Sequence, residues 1–183
     1  APADIDLAGR GQVQWISAAN LDERIRALLE DPGAGRLSSD TGQFSLAGAQ
    51  SKTALYRVGE KWGVPRGRTP TTHILKPEGP RFAGLATNEH FCLELARSAG
   101  IPSARSEVRN FVGNPTIIVE RFDRYRDKRD GLIKRIHQED CCQALGVHPN
   151  RKYQSEGGPG IPEIMDLLRF TKAPDIDRDR FMR

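Results

Sequence analysis

At 183 residues the chain is long enough for one domain with a sizeable core, for two small lobes sharing an interface, or for part of a larger domain. Its 37% hydrophobic and 28% charged residues exclude a disordered tail or a fibrous repeat. A formal net charge of +4 permits phosphate-bearing partners without demanding one, and no apolar run approaches the ~20 residues that span a bilayer. The first residues, APADIDLAGR, carry neither a basic n-region nor an apolar h-region, so the expectation is a cytoplasmic protein without a membrane segment. Cys92, Cys141 and Cys142 are odd in number with two adjacent, which is no disulfide framework. Two of them stand near His137, Glu139, Asp140 and His148, but without the two spaced ligand pairs of a zinc site; half-buried helix thiols are expected, and no metal site.

In chain order, Asn20 followed by Glu23 reads as an N-cap with its capping box, and Leu21, Ile25, Leu28 and Leu29 follow at helical spacing until Asp31-Pro32-Gly33 stops the helix. Short extended runs come next: TALYRV, a Gly-Glu turn, KWGVP, and THILK after a breaker-rich loop. ATNEHFCLELARSAG then reads as a helix with Phe91, Cys92, Leu95 and Ala96 on its packing stripe and Gly100 as its stop. SARSEVRNF and TIIVERF, joined by VGNP, form a hairpin whose second strand is apolar enough to be central. A basic excursion leads to a short strand LIKRI, a helix start at QEDCCQALG, and a helix IPEIMDLLRF with Ile161, Ile164, Met165 and Leu168 at helical spacing. DIDRDRFMR reads as the first turns of another helix.

FSLAGAQSKTAL, residues 44–55, ends in a Lys-Thr pair, yet Ser51 stands where a Walker A loop needs glycine and a strand follows where it needs a helix; that motif is rejected. The element order fits another nucleotide architecture, the kinase N-terminal lobe: a Gly-containing turn, a strand lysine, a helix acid, two strands and a hinge. Lys76 ends an apolar strand, so its head group either snorkels to solvent or meets an anion. Glu89 is either its partner or an ordinary first-turn acid. Glu120 and Phe122 are either a plain strand end or the place where backbone groups become free to read an adenine edge. The basic excursion from Arg121 to Arg135 is either a solvated hairpin tip or a phosphate-binding patch; with only Phe122 and Tyr125 interleaved it lacks a stacking platform, and no direct nucleic-acid binding is expected.

FSLAGAQSKTAL, TPTTHILKP, NEHFCLELA, VERFDR, QEDCCQALG and KYQSEGGPGI, in that order from about Phe44 to about Met182, together resemble the HipA family of bacterial toxin kinases. The resemblance implies an α+β fold: a protein-kinase-like N-terminal lobe of antiparallel sheet plus helix, then the start of a helical C-terminal lobe. The expected division is 1–43 as a helical or linker segment, 44–136 as the nucleotide-binding lobe and 137–183 as the start of the C-terminal lobe. It implies an ATP- and Mg²⁺-dependent serine/threonine protein kinase of a toxin–antitoxin module, with a HipB-like DNA-binding antitoxin as partner and an aminoacyl-tRNA synthetase as one type of substrate. Residue by residue, Ala47, Gly48, Ala49 and Gln50 match the nucleotide loop, Lys76 the ATP-binding lysine, Glu89 its helix partner, and Glu120 with Phe122 the hinge. Ser45 matches a regulatory autophosphorylation position, and Lys52 is left peripheral. The family's Asp-Gly-His-type catalytic loop and its metal-binding aspartate do not occur before Arg183, Asp130-Gly131 being followed by Leu132. The expectation is therefore a fragment with no catalytic or Mg²⁺-binding residues of its own, inactive alone. The alternative is a non-enzymatic module that docks an antitoxin or other partner.

Overall fold

The computed structural model describes residues 11–30, 50–79 and 83–183. They fall into two compact units that divide between Ile136 and His137.

The first unit is built on an antiparallel sheet of six strands: β1 (Gln12–Ile16), β2 (Thr53–Val58), β3 (Lys61–Arg66), β4 (His73–Pro77), β5 (Ser106–Phe111) and β6 (Asn114–Glu120), in the spatial order β1-β3-β2-β4-β6-β5. Side chains alternate between its faces. One face places Leu55, Trp62, Val64, Leu75 and Ile118 against Leu21, Ile25 and Leu28 of helix α1 (Ala18–Glu30), and this is the core. Ile25 and Leu28 are fully buried, each worth about 1.5–3 kcal/mol of transfer free energy. The other face is covered by helix α2 (Leu85–Ser98), which packs on β5 and β6.

Four details depart from the sequence reading or extend it. β1 was not anticipated: it pairs antiparallel with β3, from Gln12 opposite Arg66 to Ile16 opposite Trp62, so the sheet begins ahead of the first helix. Helix α1 begins one turn earlier than expected. Ser17 caps it, its Oγ accepting the Asn20 N–H at 3.2 Å and donating to Asn20 Oδ1 at 2.9 Å, so Asn20 is the reciprocal partner of the cap rather than the cap. In α2 three of the four residues expected on its packing stripe turn outward, Phe91 and Leu95 being 62% and 57% exposed and Cys92 exposed; Ala96 does take the inner face, with Ala86, Glu89, His90 and Leu93. Polar anchors described below set that face, not hydrophobicity. Gly100 does stop α2, with the Ile101 N–H bonding Ala96 O at 2.9 Å and the Gly100 N–H bonding Arg97 O at 3.0 Å.

The basic excursion folds into a two-stranded hairpin, β7 (Arg124–Arg126) and β8 (Ile133–Arg135). Part of its charge is satisfied within the hairpin: Lys134 is held by Asp127 and, at 3.0 Å, by Asp130, and Arg126 Nη1 donates to Gly131 O at 2.6 Å.

The second unit holds three short helices, α3 (Cys141–Ala144), α4 (Ile161–Leu167) and α5 (Pro174–Met182), joined by 3₁₀ turns. Asp140 opens α3 with a capping box to Gln143, and Cys141 and Cys142 are half-buried. In α4 and the 3₁₀ turn after it, Ile164, Met165 and Leu168 are half-buried as their spacing implied, while Ile161 is 57% exposed.

Candidate nucleotide site

Leu75 points into the α1 core, so strand alternation sends Lys76 to the opposite face, toward α2. Glu78, two residues further, shares that face and is 7% exposed. Its carboxylate accepts the N–H groups of Gly84 at 3.0 Å and Ala86 at 2.9 Å, which satisfies the start of α2 and places a negative charge at the positive end of the helix. Glu78 is itself fixed, its N–H bonding Pro115 O and its carbonyl accepting from Asn114 Nδ2, both at 2.9 Å. The helix N-terminus is thereby tied to the end of β4.

Glu89 lies three residues beyond Ala86, one turn on and on the same side, so the helix presents it to Lys76. Lys76 Nζ and Glu89 Oε1 are 2.6 Å apart, with side chains 21% and 29% exposed. The lysine neither snorkels away nor lies buried alone. It is held extended, with its ammonium accessible to a further anion. A second bond across the same face, from His90 Nδ1 to Ser106 Oγ at 2.8 Å, fixes the rotation of the helix.

Lys52 is not peripheral. It precedes β2, beside β4, and its Nζ donates to Gln50 O at 2.6 Å. Its pKa is pushed below the ordinary lysine range, first by burial and then by the charge of Lys76, with Glu89 opposing, which places its ammonium within electrostatic reach of the pair. Gln50 adds a buried amide nitrogen, Nε2, that has no hydrogen-bond partner among the described residues. Two cations beside a single carboxylate suit a bound polyanion. Ser45, Ala47, Gly48 and Ala49 lie outside the described residues.

Glu120 and Phe122 stand at the other end of the same strand pair. Lys76 is opposite Ile117 and His73 opposite Glu120, an offset of three residues or about 10 Å along the strand. The Glu120 N–H is taken by Arg105 O at 2.8 Å and the Arg121 N–H by Thr72 O at 2.9 Å. The Glu120 side chain lies beside His73 on the face away from Lys76, where Arg57, His73, Arg105, Glu107 and Glu120 line a polar cavity of about 170 Å³. Any contact of this strand end with a ligand near Lys76 therefore falls to backbone groups of Glu120 and Phe122. Phe122 is 75% exposed.

Among the described residues no group of three or more His, Cys, Asp or Glu side chains is gathered as a metal site requires. Glu78 and Lys52 were both missed by sequence reading, because neither lies in the apolar periodicity that carries the strands. Lys52 had a signal, its place directly after the Gly-containing loop.

An antiparallel sheet whose strand lysine is held by a helix glutamate defines a kinase-like fold of the α+β class. The chain belongs to the HipA-like C-terminal domain family, whose model matches residues 44–183. It is 47% identical over 175 residues to Y4mE of Sinorhizobium fredii, a protein that carries a kinase name, with 94% of this chain and 41% of that one aligned. It is 32% identical over 165 residues to the serine/threonine-protein kinase toxin HipA of Shewanella oneidensis, covering 88% of this chain and 37% of the toxin. A solved Shewanella oneidensis complex of HipA, HipB and operator DNA contains a chain that matches 94% of this one with a TM-score of 0.65 and 28% identity, over 38% of its own length. The chain thus spans about two fifths of the length of these relatives.

Proposed function

We propose that this chain is the ATP-holding part of a HipA-type serine/threonine protein kinase. Lys76, fixed by Glu89, takes the α- and β-phosphates. Lys52 and the Gln50 amide add charge and a donor beside it, together with the loop Ala47–Gln50. The Glu120 carbonyl and the Phe122 N–H read the adenine edge, and the offset of about 10 Å between hinge and lysine suits a nucleoside held by its base at one end and its first phosphates at the other. Mg²⁺ neutralises phosphate charge when the nucleotide is bound. The named relatives support a toxin role with a HipB-like antitoxin as partner, the family resemblance supports a protein such as an aminoacyl-tRNA synthetase as substrate, and both belong to the whole protein. In that setting Ser45 is the regulatory phosphosite, because about two negative charges there would oppose a loop folded over ATP.

The single observation that carries this reading is the 2.6 Å pair of Lys76 and Glu89 across the strand–helix junction. Because no Asp-Gly-His run occurs in the chain, the direct test is nucleotide binding rather than turnover. The full chain should bind ATP with Mg²⁺ in a calorimetric titration. Lys76→Met should weaken it roughly ten- to hundredfold, the worth of a hydrogen bond to a charged group at about 1.5–3 kcal/mol. Glu89→Gln, which keeps a bond but loses the charge, should cost less. A Lys76→Met chain that binds ATP as tightly as wild type would sink the assignment.

A further inference from the structure

The turn that carries Phe122 is held more strictly than the end of a strand requires. Arg121 and Asp123, two residues apart, both turn inward, and Phe122 between them is presented outward. The Asp123 carboxylate receives Arg121 as a fork, Nε at 3.0 Å and Nη2 at 2.8 Å, and Arg124 Nη1 at 2.7 Å. Asp123 is buried and the two arginines are largely so, at 6% side-chain exposure for Asp123 against 13% for Arg121 and 9% for Arg124. Both guanidinium groups continue to Thr71, itself fully buried: Arg121 Nη1 reaches its Oγ1 at 3.4 Å and Arg124 Nε its carbonyl at 2.6 Å. Thr71 leads directly into Thr72, whose carbonyl takes the Arg121 N–H and whose own N–H bonds Leu55 O at 2.8 Å. The cluster therefore ties the exit of β6 to the entrance of β4, the strand that bears Lys76.

Stability alone does not explain such an arrangement. Buried ion pairs gain little over apolar side chains of the same volume, because desolvation offsets the attraction. What a planar guanidinium fork on a carboxylate does supply is direction. Each bond here fixes backbone on one side or the other of Phe122.

We infer that Asp123 is the positioning residue of the base-reading edge: by gripping Arg121 and Arg124 it sets the Glu120–Phe122 backbone relative to β4, so that a nucleotide's base and phosphates are engaged at one fixed separation. This rests on the nucleotide reading above, and it concerns a residue that contacts no nucleotide itself.

The test separates base from phosphate. The full chain is titrated with ATP and, in parallel, with inorganic tripolyphosphate, which engages the lysines but has no base. Wild type should bind ATP more tightly than tripolyphosphate. Asp123→Asn, which keeps the shape but loses the charge that holds both arginines, should weaken ATP roughly five- to tenfold and leave tripolyphosphate within about twofold. Thr71→Val, which removes only the hydroxyl end of the cluster, should move ATP the same way by less; if Asp123→Asn does not fold, this variant decides. Equal loss of both ligands, or loss of neither, overturns the positioning role, since a merely structural residue would affect both alike. Wild type that binds ATP and tripolyphosphate equally also overturns it, whereas wild type that binds neither overturns the nucleotide reading first.

Discussion

Val112 sits at φ 54°, the left-handed region, and it is the one non-glycine among the described residues that does so. The register puts Phe111 opposite Asn114, so Val112 and Gly113 (φ 77°) are the two central residues of the β5–β6 hairpin, both with positive φ as a type I′ turn requires. Glycine meets that demand at no cost, but a β-branched residue is strained there by about 1–2 kcal/mol. Val112→Asn installs the Asn-Gly pair that such turns prefer. With Val112 already 37% exposed, little buried surface is forfeited. The expected result is a gain of about 1 kcal/mol in urea unfolding, with the slope unchanged. A loss would mean that the valine side chain makes a contact worth more than its strain. The turn itself was legible in VGNP; its strain was not, because a sequence reports which residues make a turn and not the dihedral each accepts.

Elements were legible where a period ran long enough and hidden where a polar atom decided. The 13 residues of α1 carry a clear stripe, and three of its four apolar members are buried. β1 has only five residues, with Val13 and Ile16 half-buried and the rest exposed, so its alternation is too short to separate from a loop. Its place in the sheet depends on a glycine. Gly63 of β3 lies opposite Trp15, and a Cβ there would stand 2.3 Å from Val13 Cγ1, 3.1 Å from Gln14 O and 3.2 Å from Trp15 Cε3. Gly63→Ala should therefore lift β1 from β3 and cost about 1–3 kcal/mol, although the same change in an open strand would gain stability. Hydrogen exchange should show loss of protection confined mainly to Gln12–Ile16, and unchanged protection there would show that β1 shifts to accommodate the methyl. The orientation of α2 illustrates the opposite case. Its most hydrophobic stripe faces outward because Glu78, Lys76 and Ser106 anchor the helix by Gly84, Ala86, Glu89 and His90. Periodicity weighs apolar residues alone, so it found the helix and chose the wrong face.

For the molecule as a whole, the part of the candidate site that was legible is the part carried by strand and helix order, Lys76 and Glu89. What escaped is every contact between residues distant in sequence. Arg57 reaches Glu107 fifty residues away, lies 4.9 Å from the centre of the Trp62 ring, and faces His73, which also meets Trp62 edge-on at 5.7 Å. These contacts give the fold a definite response to acid. The His73 imidazole is pushed below its ordinary value, chiefly by burial and then by Arg57, against the opposing pull of Glu120 and Glu107. Its Nδ1 lies 2.9 Å from Thr72 Oγ1, a hydroxyl that also accepts the Arg57 N–H at 2.9 Å and faces Leu55 O at 3.5 Å. The unfolded chain protonates this histidine near its ordinary value of about 6.5 while the folded chain does not, so stability falls as pH drops below about 6.5 toward the folded value. A second loss follows at lower pH. Glu60 is held down to about 2 by hydrogen bonds from Arg109, and Glu107 and Asp123 are held down by their arginines even though burial alone would raise them. Their stabilisation is present above the ordinary carboxylate range of about 4 and is lost as pH falls through their depressed values. Glu60 is exposed, so its share should shrink in high salt, while that of Asp123 should persist. The expected profile of urea midpoint against pH thus descends in two stages, and His73→Gln should abolish the upper one and leave the lower. A midpoint that is level between about pH 7 and pH 5 in wild type, or a His73→Gln chain that descends there just as steeply, would show that the imidazole titrates alike in both states.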